Sequence, residues 1–145
     1  AIDALLRTAF PGPAEAGLVR ALRAAEGFET ELVLPDGPGI AGYLALSRMT
    51  APEGWLALAP LAIAPGWQRK GLGQRLTKAA LKLAAIKGRT VVVLGDPGFY
   101  GRCGFSLARA GGLTSPSPIE NTLIFRPGDD IPTAQLIYPA AFAGV

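Results

Sequence analysis

"PGWQRKGLGQRL", Pro65 to Leu76, reads as a loop running into a helix, and that helix opens without the groups a helix start favours. Ser, Thr, Asp or Asn normally caps such an end and carboxylates fill its first turn, because free N–H groups and the positive dipole end both attract negative charge. Here stand Arg69, Lys70, Gly71 and Gly73 instead. Either no helix begins at this point, or an anion from outside the chain supplies what the sequence lacks. The flanks favour the second. Downstream, Leu72, Leu76, Ala79, Leu83 and Ile86 recur at three and four up to Gly88, while Arg75, Lys78, Lys82 and Lys87 fall elsewhere, which predicts an amphipathic helix over 71–87. Lys78 and Lys82 belong to its solvated face. Upstream, "GWLALAPLAIA" is an almost wholly apolar and therefore central strand. Pro60 in its middle predicts a bulge and a local opening of the sheet, because Pro cannot donate to the ladder. Strand, short loop and helix together point free N–H groups out of the sheet's end, and Gly71 and Gly73 let a ligand approach the backbone closely. Phosphate is the obvious ligand. Two phosphate motifs fail, however: Leu76 stands where the dinucleotide fingerprint has its third Gly, and no Gly-Lys-Ser/Thr follows Gly66 and Gly71.

The rest of the chain supplies strands and helices around this unit. "DALLRTAF" and, after "PGP", "AEAGLVRALRAAEG" predict a helical pair, the second helix with Leu18, Leu22 and Ala25 at helical spacing and Gly27 as its stop. "FETELVLPDG" and "GIAGYLALSRMT" alternate around "PDGPG", a hairpin signature. "TVVVLG" is a short buried strand, and "DPGFYGRCGF" a Gly-punctuated turn carrying one helical turn. "NTLIFRP" and "TAQLIYP" read as two closing strands around the "GDD" turn. Strands mixed with helices, parallel across the basic helix and antiparallel elsewhere, predict an α/β domain with a mixed sheet. The 145 residues show no internal repeat and no linker, and read as one domain, 1–145.

Composition narrows the chemistry. With no histidine and one cysteine, the sequence excludes an imidazole base, a Ser-His-Asp triad, a Cys/His zinc site and an internal disulfide. No metal is expected, and Asp129 with Asp130 reads as an exposed turn. Acid–base work falls to carboxylates, Lys, Tyr, Cys or ordered water. Net charge is only +3, yet no acid stands between Glu53 and Asp96 while Arg69, Lys70, Arg75, Lys78, Lys82, Lys87 and Arg89 do, a local field that favours an anionic ligand. The first residues lack a basic lead and a long apolar run, and uncharged stretches are broken by Pro or Gly before they reach membrane-spanning length. A cytoplasmic protein without a membrane partner is expected. Nucleic acid is not expected either, since the basic helix lacks interleaved aromatics. Cys103 reads as a small buried hydrophobe.

"PLAIAPGWQRKGLGQRL" resembles the acyl-CoA-binding motif of GNAT-type N-acetyltransferases, Gln or Arg, two residues, Gly, one residue, Gly or Ala; here Gln68, Gly71 and Gly73. "VVVLGDPGFYGRCGF" resembles the same family, particularly its YhbS-like branch, and with the strands between Ile40 and Phe105 the likeness covers about half the chain in the family's order. It implies a mostly antiparallel sheet with a V-shaped splay between two central strands, flanked by helices. It implies acetyl-CoA as co-substrate, its pyrophosphate held by Gln68, Arg69, Lys70, Gly71, Leu72, Gly73 and Gln74. Leu61, Ala62 and Ile63 would pair their backbone with the pantetheine arm. Tyr100, matched to the family's tyrosine after the next strand, would protonate the departing thiolate; read without the family, it is preferred as an aromatic plug beside Phe99 under the Gly-rich turn.

The family's frequent Glu base has no counterpart in "WLALAPLAI", so water relayed to solvent or an amine arriving neutral would serve equally well. The family's first strand is also not visible before the first helix, which fits a strand lying before Ala1. The expected activity is acetyl transfer to a primary amine of a small molecule or protein within a ternary complex. A homodimer is compatible with that reading. The alternative is a non-catalytic acyl-CoA-binding module of the same fold, which the missing carboxylate keeps open. The acceptor pocket would be built by the first two helices and the C-terminal strands.

Overall fold

A computed structural model describes residues 1–144. Helices α1 (Ile2–Ala9) and α2 (Ala14–Ala24) precede a hairpin of β1 (Phe28–Asp36) and β2 (Gly39–Arg48), followed by β3 (Leu56–Ile63). Then come α3 (Leu72–Ile86), β4 (Val91–Leu94), α4 (Pro97–Cys103), β5 (Leu113–Thr114), β6 (Thr122–Phe125) and β7 (Ala134–Gln135). The main sheet runs β1-β2-β3-β4-β6. Its pairs are antiparallel except β3 with β4, the two strands joined by α3. A helical crossover is what a parallel pair requires.

β2 is buried on both faces, and its alternation divides the core. Leu44 and Leu46 meet Leu76, Ala80, Leu81 and Ala84 of α3 together with Val91, Val93 and Cys103. Tyr43 and Ala45 face the other way, against Leu5 and Leu6 of α1 and Ala16 and Val19 of α2. A third cluster gathers Trp55, Ala57, Val92, Leu113, Ile124 and Leu136 beneath the C-terminal segment. Helix α2 is tied to the edge strand by Arg23, whose Nη2 lies 2.7 Å from Glu31 Oε1, and the Tyr43 hydroxyl donates to the same oxygen at 2.6 Å. Burial and the Glu31 carboxylate push the Tyr43 phenol far above its usual pKa.

Four expectations from the sequence need correction. The stripe of α3 that faces the sheet is Leu76, Thr77, Ala80, Leu81 and Ala84, while Ala79 is exposed, Leu83 is 42% exposed and Ile86 78%. Small alanines let the helix sit close to the strands, so bulk did not mark the buried face. The stretch after β4 is a two-turn helix: the Asp96 carboxylate accepts from the N–H groups of Gly98 at 3.2 Å and Phe99 at 3.3 Å, and Pro97 occupies the first turn. Lastly, "NTLIFRP" and "TAQLIYP" are not partners. β6 joins the main sheet, and β7 pairs in parallel with β5 in a separate two-stranded sheet. Arg109 and Arg126 both bind Asp130 Oδ1 at 3.0 Å, fixing the turn so that the chain leaves the main sheet there. Ala25, read as part of the α2 stripe, lies beyond the helix end and is exposed.

Candidate functional site

The two helices that follow strands β3 and β4 start in opposite ways. Helix α4 has its Asp96 cap; α3 has Gly71 as N-cap at φ 76°, no side-chain cap and no acid in its first turn. The first α3 bond runs from Arg75 N–H to the Gly71 carbonyl at 3.1 Å, so the N–H groups of Leu72, Gly73 and Gln74 precede the helix's own ladder. Arg69 also has positive φ, 64°, which costs a non-glycine residue about 1–3 kcal/mol. Left-handed residues at Arg69 and Gly71 turn successive N–H groups toward one concavity, the geometry of a backbone anion nest. At Gly71 a Cβ would meet nothing within 4 Å, so the glycine is there for its backbone angle, not for lack of room.

The loop is held in place by its own side chains. Gln68 Nε2 donates to the Ile63 carbonyl at 3.1 Å, and Trp67 Nε1 donates to Asp36 Oδ2 at 3.1 Å, linking the loop to the end of β1. The Lys70 ammonium lies 5.6 Å from the centre of the Trp67 ring.

Pro60 does to the sheet what its chemistry predicts. The β2–β3 register slips between Leu44↔Leu61 and Leu46↔Leu58, and the β3–β4 ladder holds only at Leu56↔Val91 and Ala57↔Val92. Beyond Ala57 the two strands part. The Ala64 N–H donates to the Ala41 carbonyl at 2.7 Å, so alternation along an antiparallel strand turns the N–H groups of Leu61 and Ile63 away from β2 and into the opening.

A cavity of about 420 Å³ lies at that opening. Of the ten residues the sequence assigned to ligand binding, nine line it: Leu61, Ala62, Ile63, Gln68, Arg69, Gly71, Leu72, Gly73 and Gln74; Lys70 does not. Phe99 and Arg102 of α4, with Ala9, Phe10 and Trp67, complete the wall. Phe99 and Arg102 were missed because the stretch was read as a turn; the Asp96-Pro97 start signalled a helix on which residues three apart share a face. Two guanidinium groups, Arg69 and Arg102, and no carboxylate therefore face this space.

Tyr100 lies apart from it. Its ring meets Phe99 edge-on at 4.9 Å and Phe105 at 5.6 Å, and it lines neither this cavity nor the larger one described next. It rests against the backbone of Gly95, where a Cβ would come within 2.5 Å of Tyr100 Cε2. Burial, reinforced by the neighbouring Cys103, pushes the phenol up to about 12, so it is protonated at neutral pH. Cys103 itself is buried, with its pKa raised by burial, and behaves as packing.

The larger cavity, about 880 Å³, opens on the other side of the splay against Leu58 and Ala59 of β3 and Leu94 of β4. Its remaining walls come from Ala57, Val92 and residues within 114–117 and 135–143, and neither α1 nor α2 contributes. Among the described residues no cluster of His, Cys, Asp or Glu has a metal-binding arrangement, and no helix is long and apolar enough to cross a membrane.

Residues 28–107, from the first strand through the loop and α4, match the family model of the acetyltransferase (GNAT) domain. The chain belongs to the GNAT acetyltransferases. It is 42% identical over 113 residues to the uncharacterized N-acetyltransferase YhbS of Escherichia coli K12, an alignment covering 74% of this chain and 67% of that protein. The crystal structure of E. coli YhbS in complex with CoA superposes with a TM-score of 0.87 at 34% identity, covering 97% of this chain and 84% of that one. A GNAT acetyltransferase of Brucella melitensis in complex with acetyl-CoA gives a TM-score of 0.80 at 29% identity, over 97% and 89% of the two chains. The mixed, mostly antiparallel sheet flanked by helices is thus the GNAT fold.

Proposed function

We propose that the protein is an acetyl-CoA-dependent N-acetyltransferase that moves an acetyl group to a primary amine by direct attack in a ternary complex. One observation carries this reading: an uncapped helix start with left-handed residues at Arg69 and Gly71 faces a cavity bearing Arg69 and Arg102, next to a strand with outward N–H groups. A CoA pyrophosphate fits the nest and the cations, and the pantetheine amides fit the free edge of β3 at Leu61 and Ile63. The CoA and acetyl-CoA complexes of the two superposed relatives support it. On this reading Lys70 adds charge outside the cavity wall, Gln68 shapes the loop through Ile63, and residues 1–145 act as one domain in the cytoplasm.

In the reaction the amine nitrogen attacks the acetyl carbonyl carbon. The N–C bond forms, the C–S bond breaks with its electron pair on sulfur, the nitrogen loses its proton to water, and the thiolate is reprotonated. Strand N–H groups would polarise the carbonyl as negative charge develops on its oxygen. Tyr100, protonated at working pH, is assigned as hydrogen-bond donor to the sulfur.

A non-catalytic acyl-CoA-binding module is the second reading, favoured by two observations: no carboxylate lines either cavity, and Tyr100 lines neither. Thiol release from acetyl-CoA across a panel of amines separates the two. Amine-dependent release supports the enzyme; CoA binding with no release above the rate without protein supports the module.

A further inference from the structure

The larger cavity has a chemical character that the family likeness does not supply. Every side chain lining it is uncharged, although it is wide enough for a ligand of drug size. The floor is apolar, with Leu58, Val92, Leu136 and Phe142. Its polar groups are neutral: the hydroxyls of Thr114, Ser115 and Ser117, the Gln135 amide and the Tyr138 phenol. The Tyr138 hydroxyl is buried and has no hydrogen-bond partner among the described residues. The cavity meets the splay at Leu58 and Ala59, two residues before the strand segment that lines the smaller cavity, so the two cavities border adjoining stretches of β3.

We propose that this cavity receives the acceptor, and that the acceptor is a small primary amine on an uncharged, largely apolar body, such as an arylalkylamine, and not a polycation. The proposal rests on the acetyl-donor reading above and narrows it. A polyamine keeps further ammonium groups after its reacting nitrogen enters, and each would need a carboxylate or water that these walls do not provide. An aromatic or alkyl body loses nothing on entering and covers the apolar floor.

The test has three arms on the full chain. CoA binding is measured first by thermal shift. Phenethylamine, tyramine, hexylamine, spermidine and kanamycin are then compared for thiol release with acetyl-CoA and for calorimetric binding to the protein–CoA complex. Finally Ala140→Trp is examined, which places a large ring at the exposed rim of the cavity. Expected are a CoA shift, binding and turnover of at least one monoamine at least about tenfold above both polycations, and its binding lost in Ala140→Trp with CoA affinity unchanged. No CoA shift would remove the donor reading itself. With CoA bound, equal or better use of spermidine or kanamycin, failure of every monoamine to bind, or full amine use by Ala140→Trp would each overturn the acceptor assignment while leaving the donor site in place.

Discussion

Replacing Gly71 separates backbone strain from ligand charge at the start of α3. Gly71 sits at φ 76° with open space where a Cβ would go, so Gly71→Ala adds strain without a clash. A left-handed non-glycine residue costs about 1–2 kcal/mol. In a domain of this size that lowers Tm by about 2–8 °C. Gly71→Glu carries the same strain and adds a carboxylate beside the N–H groups of Leu72, Gly73 and Gln74. At about 4 Å from a bound phosphate the repulsion lies between about 1 kcal/mol in bulk water and about 4 kcal/mol near a protein surface, or about fivefold to a thousandfold in Kd. Ligand at a hundredfold excess over Kd stabilises the native state by about 2.7 kcal/mol. Melting curves with and without CoA therefore expect similar Tm values for the two variants alone, a CoA-induced rise kept by Gly71→Ala and a rise much reduced in Gly71→Glu. Equal CoA shifts in Gly71→Glu and the wild type would refute the placement of the anion at this helix start.

Tyr100→Phe keeps both edge-on aromatic contacts and removes only the hydroxyl; a catalytic donor predicts a 10²- to 10⁴-fold loss of turnover with CoA affinity unchanged, and full turnover over pH 6–9 would make the residue packing alone. Gly95→Ala drives a methyl into the Tyr100 ring and should destabilise the protein by about 1–3 kcal/mol in urea unfolding, an effect smaller in Tyr100→Ala, where the clash is relieved. Tyr100 has its folded pKa raised above 10, so its contribution is fully present below pH 10 and is lost as pH climbs toward about 12. Tyr43 and Tyr138 shift the same way, so alkaline unfolding should set in over this window and begin at higher pH in Tyr100→Phe.

What the sequence revealed and what it hid follow from local chemistry. A missing cap, two glycines and a proline inside an apolar strand each break a rule of regular structure, and each break is visible without neighbours: hence the loop, the α3 start and the splay at Pro60. The hairpin of β1 and β2 was legible for the same reason, its alternation being local. The buried face of α3 was not, because Leu72, Leu83 and Ile86 outweigh Ala80 and Ala84 in any reading by bulk, and only the distance to the sheet decides between them. Helix α4 was hidden by Gly98 and Gly101 within it, although Asp96 and Pro97 announce its start. The partner of β7 depends on where Arg109 and Arg126 hold Asp130, a meeting of the turn that carries Arg126 and Asp130 with a residue 21 positions before Asp130. The larger cavity was likewise unreadable, since its walls are short stretches without a motif.

Strand β3 borders both cavities, with Ala57, Leu58 and Ala59 on one and Leu61, Ala62 and Ile63 on the other. In the opening it presents peptide groups, and most of its side chains are committed to the core on either face. A substitution in β3 therefore perturbs both spaces at once, whereas the segments 114–117 and 135–143 touch the larger one alone. Libraries aimed at changing which ligand the larger cavity admits belong in those two segments, with the strand left as the fixed ruler against which both ligands are measured.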